Sequence, residues 1–261
     1  MKDCREEWYD RAAKVAVTIV DVTGAAQELA RGHLAGPTST HFLTEALASV
    51  ALLGAEMSEK DETVILQMKC KGPLGGYNVE CTSEGTLRGY AEKKVLDEFD
   101  GLGKPDARKV IGEAQYQVTR SVPGRILSQG ISASIDGYLA GSLQRKACIR
   151  TEVAVSDEVE VLEARGILVE DLPDAKGELK CCHVTDPKSL SVASRNILRQ
   201  LGLENAELRK TTPLKFACRC SPDRAIAMLA ALGEEERRAL PPTIDITCHM
   251  CGKTFTVKTK E

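Results

Sequence analysis

Aromatic residues are scarce. They make up 4 % of the 261-residue chain, with one Trp, four Phe and five Tyr. A surface that stacks nucleic-acid bases is therefore not expected. A basic surplus is missing too: Lys+Arg total 35 against Asp+Glu 38, a net charge of −3, whereas phosphate-backbone binders are usually basic. Long apolar runs are lacking. The longest stretch, Leu43 to Met57, is interrupted by Glu45 and Glu56 and falls short of a membrane span. The start, Met1-Lys-Asp-Cys-Arg-Glu-Glu, carries both charges and leads into no signal-peptide core. A cytosolic protein with no membrane or nucleic-acid partner is the expectation. Gly72-Pro-Leu-Gly-Gly lacks the Lys-Ser/Thr of a phosphate loop and reads as a β-turn. His33, His41 and His183 stand in no H-x-E or H-E-x-x-H context, so a zinc protease or deaminase has no support.

What is present is a globular composition, 43 % hydrophobic and 28 % charged, with ten cysteines. In a reducing compartment, clustered cysteines point to metal ligation or redox chemistry rather than disulfide staples.

The pattern predicts an α+β chain. Residues 12–22 read as a strand, and Thr23 as the N-cap of a short helix to about Ala30. Pro37 to Thr40 reads as a break before a helix over about Thr40–Glu56, with Leu43, Leu47, Val50 and Leu53 on one face. A meander follows, with strands at 64–68, 77–81 and 86–91. Residues 97–106 read as a loop, and strands are expected at 116–119, 146–152 and 159–169, with a short helix over 134–144. Residues 1–175 thus read as one sheet-and-helix domain. Residues 176–215 read as a helical linker: Asp186 caps, Pro187 sits in the first turn, Leu190, Ile197 and Leu201 form a stripe, and Gly202 stops the helix. Residues 203–217, charged and broken by Pro213, read as a connector of modest stability.

The last segment, 216–261, carries the chemistry. Cys218-Arg-Cys220 is followed after 27 residues by Cys248-His-Met-Cys251. Two close pairs of thiolates suit one tetrahedral Zn²⁺. Ser221-Pro-Asp opens a helix whose expected apolar face is Ala225, Met228, Leu229 and Leu232. Ile244–Thr247 and Phe255–Val257 flank the second pair as strands, and Gly252 suits a positive φ. His249 is read as a loop residue, not a ligand. Glu234-Glu-Glu-Arg-Arg is read as a solvated helix face. A plain ribbon that staples a small tail satisfies this spacing. So does a regulated site, since each pair is close enough to form its own disulfide and thiolates are what oxidants attack. A nucleic-acid-binding zinc ribbon runs against the acidic balance. A C-x-x-C oxidoreductase would place its motif at a helix start, whereas here it lies between strands. Cys70, Cys81 and Cys148 read as small sheet or core residues, Cys181-Cys182 as ordinary residues near a domain edge, and Cys4 falls outside the pattern.

With its C-x-C and C-x-x-C pairs at this gap, and Phe216-x-Cys-x-Cys-Ser, the sequence resembles the redox-regulated heat shock protein 33 family, the 33-kDa chaperonins. Thr38 to Gly54, Val64 to Tyr90 with Gly85-Thr-Leu-Arg-Gly-Tyr, Gly103 to Gly112 and Ala164 to Ala175 extend the likeness, which runs from about residue 30 to the C-terminus. The resemblance implies a non-enzymatic, ATP-independent holdase for unfolded proteins. It also implies one Zn²⁺ on Cys218, Cys220, Cys248 and Cys251 in a reduced, inactive state. Oxidation would pair Cys218 with Cys220 and Cys248 with Cys251, release Zn²⁺, unfold the C-terminal region and bring two chains together.

Overall fold

The run Val15-Ala-Val-Thr-Ile-Val is apolar on both faces of a strand, and the structure shows why. The computed structural model describes residues 3–173, 175 and 190–259. In it β2 (Val15–Asp21) lies inside a five-stranded antiparallel sheet of order β10-β1-β2-β9-β8. It pairs with β1 (Cys4–Asp10) and β9 (Val161–Asp171), which pair in turn with β10 (Glu207–Pro213) and β8 (Lys146–Val155). Both faces of this sheet are covered, so its central strands have little polar alternation.

The second sheet has the order β11-β5-β4-β3-β6-β7. It holds the meander β3 (Thr63–Cys70), β4 (Gly76–Thr82) and β5 (Thr86–Ala91), then the hairpin β6 (Ala114–Val122) and β7 (Arg125–Ser132). The two-residue β11 (Lys215–Phe216) runs parallel to β5 at its edge. Between the sheets lie α1 (Thr23–His33) and α2 (Pro37–Leu53). Helix α2 packs on β8 and β9 on one side and β4 and β5 on the other. Leu47, Ala48, Val50, Ala51 and Leu52 are fully buried, and the polar residues of its first two turns are buried with them, Ser39 donating to Lys93 O (2.7 Å). A helix buried all round has no polar face to mark its limits.

A second apolar cluster lies on the outer face of the first sheet. There Trp8, Val17, Ile167 and Val169 meet Leu190, Ile197, Leu198, Leu201 and Leu203. Helix α5 (Ser194–Gln200) supplies Ile197 and Leu198, and Gly202 ends it with φ of 64°. Leu190, Ile197 and Leu201 are buried together, but not as one helical stripe: Leu190 lies in the turn before α5 and Leu201 just after it. Asp186, Pro187, Cys181, Cys182 and His183 lie outside the described residues.

Four local expectations need correction. Helix α2 begins at Pro37, not after it: Pro37 occupies the first turn, and the Asp100 carboxylate accepts from Thr38 N–H (2.9 Å). Thr23 is inside α1 rather than its cap. Asp3, brought from β1's side, accepts from Gly24 N–H (3.0 Å) and Ala25 N–H (2.6 Å) instead. Residues 207–213 are not a loose connector but β10, paired with β1 from Cys4↔Pro213 to Tyr9↔Glu207 with one register shift between Glu7 and Trp8. Their charges face solvent at a sheet edge and Pro213 ends the strand, which local pattern reads as a loop. Strands β1 and β7 are additions to the expected set. β1 carries the buried Arg5, whose Nη1 donates to Ala51 O (3.1 Å), and β7 is an exposed edge. A short helix α3 (Ala107–Val110) closes the 97–106 loop, and α4 (Ile135–Gly141) is capped by Ser134, which accepts from Gly137 N–H.

Candidate metal centre

Each cysteine pair is fixed by its own local device. Cys218 and Cys220 follow β11. Ser221 then accepts from Arg224 N–H (3.2 Å) and Pro222 takes the first turn of α6 (Pro222–Ala230). Cys248 and Cys251 sit in the turn between β12 (Thr243–Thr247) and β13 (Thr254–Lys258). Gly252, at φ of 72°, lets its N–H reach Cys248 O (2.8 Å), while Cys248 N–H reaches Lys253 O (2.9 Å). Helix α6 packs on β13 through Ala225, Phe255 and Val257, with Cys220, Leu229 and Ile246 alongside. Met228, expected on that apolar face, is 67 % exposed; the strand pair is too narrow to cover it. The acidic-basic run 234–238 lies in α7 (Glu234–Ala239).

The four sulfurs come together. All lie within 4.8 Å of one another, with Cys218 Sγ 3.8 Å from Cys248 Sγ and Cys220 Sγ 3.4 Å from Cys251 Sγ. Thiolates about 2.3 Å from a tetrahedral Zn²⁺ stand about 3.8 Å apart. The donor set therefore fits a metal ion of that size and softness, and all four thiols are free. His249 is exposed and turned away, edge-on to Tyr90 at 5.8 Å.

The cluster is seated against the core. Partial burial raises the Cys218 thiol, but a hydrogen bond from Arg88 Nη1 (3.5 Å) and its cysteine neighbours outweigh that and bring it to about 7. Arg88 is held from behind by Glu80, which also accepts from Arg219 Nη2 (3.0 Å). Burial instead pushes Cys251 and Cys220 upward. The knuckle meets the C-terminal end of α1 so closely that a Cβ on Gly32 would lie 2.5 Å from Cys251 O. Sequence reasoning missed Arg88, Glu80, Arg219 and Gly32. The one available signal was alternation in β5, which places Arg88 opposite the buried Leu87 and Gly89.

Of the other cysteines, Cys4, Cys70 and Cys81 are free, and burial pushes Cys81 up to about 11. Cys148 is buried in β8 as expected but is disulfide-bonded, which a reducing compartment did not suggest.

Fold and site together define a class: a two-sheet α+β core carrying a small tail, docked on one sheet edge, whose four cysteines are placed to hold a metal ion. The Hsp33 protein family model matches residues 8–258, and the chain belongs to that family, which supports a chaperone function. It is 28 % identical to the 33 kDa chaperonin of Thermus thermophilus, over 94 % of this chain and 81 % of that one. It is 27 % identical to the 33 kDa chaperonin of Caldanaerobacter subterraneus, over 95 % and 91 %. The crystal structure of the 33 kDa chaperonin (heat shock protein 33 homologue) of Thermotoga maritima superposes with a TM-score of 0.84. That match covers 99 % of this chain and 96 % of the other at 20 % identity, and it speaks for the fold.

Proposed function

We propose that the chain is a redox-regulated, ATP-independent holdase that binds unfolded proteins under oxidative stress in the cytoplasm. The observation that carries this reading is the convergence of four free thiols at the contact between tail and core. In the reduced state Cys218, Cys220, Cys248 and Cys251 hold one Zn²⁺, and the bound metal supplies most of the tail's folding free energy. Arg88 orients Cys218 and offsets the negative charge of the thiolates.

Activation is oxidative. Cys218 pairs with Cys220 and Cys248 with Cys251. Each new S–S bond takes two electrons from a pair of thiolates, and one peroxide, with two protons from solvent, becomes two waters. The ligands are consumed, Zn²⁺ leaves, and residues 216–261 unfold as a switch distinct from the core (1–175) and linker (176–215). Apolar surface then becomes available to clients and to a second copy of the chain. No step requires ATP.

Light scattering of a thermally unfolding client tests this, alongside Zn²⁺ release, for reduced and peroxide-treated protein. The expected result is protection only after oxidation, rising with metal release. Equal protection in both states, or none in either, would leave the cysteines as a structural staple.

A further inference from the structure

The outer edge of β5 is closed by the tail. Lys215 N–H donates to Gly85 O (3.0 Å), Ala217 N–H donates to Leu87 O (3.1 Å), and Gly89 N–H donates to Met250 O (3.2 Å). β11 lies parallel to β5, Lys215 opposite Thr86 and Phe216 opposite Leu87. Leu214 is buried in the main core and Phe216 packs against it. The tail groups that close the edge sit beside the cysteines: Ala217 precedes Cys218, and Met250 precedes Cys251. Whatever loosens the cluster therefore loosens the segments that cover the strand.

We infer that the β5 edge is a binding site for extended segments of unfolded protein, which add as a parallel strand in the place of β11. The inference rests on the proposed release of the tail and names a surface that release would open. The carbonyls of Gly85 and Leu87 and the N–H of Gly89 recur every second residue, about 6.6 Å apart, the repeat of any extended chain. Gly89 O does not need the client, because His33 Nε2 on α1 caps it at 2.8 Å. Backbone pairing supplies affinity without demanding a sequence. An apolar client side chain takes the place of Phe216 against Leu87. Folded proteins have already paired most of their strand backbone, so the edge selects unfolded chains. The chain's own residues 215–217 show that an extended peptide fits.

The test uses two fluorescent peptides of residues 213–219 carrying Cys218→Ser, one of them N-methylated at Lys215 and Ala217. Each is titrated into three full-length proteins: reduced wild type, peroxide-oxidised wild type, and reduced Gly32→Gln. The last places a side chain where Cys251 O now sits, on a helix that favours Gln over Gly, and so undocks the knuckle without oxidation. The unmethylated peptide should bind the oxidised and Gly32→Gln proteins and not the reduced wild type. The methylated peptide should bind at least tenfold more weakly. Hydrogen exchange at the Gly89 amide should be fast in both opened proteins and slow again with peptide or client. Equal binding of the two peptides overturns the inference, as does a Gly89 amide that stays fast with client held. Binding to Gly32→Gln but not to oxidised protein keeps the strand site and sinks the redox switch instead. A Gly89 amide that stays slow in both opened proteins means the edge never opens, and the inference falls.

Discussion

The core and the tail of this chain hold their shape by different means. The core buries helix α2 on all sides between two sheets, with more than thirty apolar residues in one continuous cluster. Among the described residues, the tail's own apolar cluster buries three: Ala225, Phe255 and Val257. Two strands and two short helices do not enclose enough apolar surface to fold alone. The core is thus stable by burial, and the tail depends on its sulfur cluster. A protein arranged this way can lose one region and keep the other, which a switch requires.

The largest expected effect sharpens that contrast. Removing ligands by Cys218→Ser with Cys251→Ser, or stripping the metal with a chelator, should unfold residues 216–259 and leave the core standing. Structural Zn²⁺ supplies about 10–16 kcal/mol in small domains. Amide NMR should lose dispersion in the tail alone, and limited proteolysis should cut between about 217 and 250 first. Cleavage within 60–120 while the tail stays protected would overturn the division. Stoichiometric Zn²⁺ in the double variant would overturn the ligand set.

The reverse experiment weakens the core. Leu47 is fully buried in α2, and Leu47→Ala should cost about 3–5 kcal/mol through the cavity it leaves. Denaturant titration should show the loss in the core transition, with Zn²⁺ still bound one per chain under native conditions. Loss of metal at denaturant concentrations where the core is folded would mean that the two regions are not separable.

Between the two lies their contact. Arg88→Met removes the donor to Cys218 and the partner of Glu80 but leaves all four thiols. Partners of metal ligands typically contribute ten- to a hundredfold in affinity, so competition with a chromophoric chelator should show a loss of about tenfold. Unchanged affinity would reduce Arg88 to a surface ion pair.

How much of this could be read from the sequence follows the same division. The convergence of the tail's four cysteines was legible, because two close pairs, a turn glycine and a capped helix start carry it locally. The meander was legible because β3 to β5 are joined by short turns. What escaped was non-local. β1 and β10 pair across some two hundred residues, and their charges, buried or half-buried in β1 and exposed in β10, conceal strands that only a partner makes visible. The N-terminus of α1 is satisfied by Asp3, twenty-one residues from Gly24, and no local capping rule finds it. Arg88, Glu80 and Gly32 matter only because the tail folds back onto them. Met228 was misplaced for the opposite reason, since the helical period assumes a packing surface wider than two strands provide.

The smallest expected effect concerns a charge inside the core. Glu62 is fully buried; its Oε1 accepts from Arg120 Nε (2.6 Å), and its Oε2 accepts from the N–H groups of Ser58 and Glu59 (3.0 Å each). Burial pushes its carboxyl upward, but Arg120 and the two amides outweigh burial, and the net shift is below the ordinary 4.5. The folded state therefore binds this proton less readily than the unfolded chain does. The contribution is fully present above about pH 4.5 and is lost as pH falls through the depressed folded value. Glu62→Gln keeps one acceptor, and Arg120 still donates to Glu56 O (2.7 Å), so the cost at pH 7 should be roughly 1 kcal/mol. Its clearer signature is the slope. Between pH 5 and 3 the core of the wild type should lose stability more steeply than that of Glu62→Gln, by one group's worth of proton uptake, while Zn²⁺ content at pH 7 is the same in both. Parallel pH profiles would show that Glu62 is no better stabilised as an anion in the fold than in water.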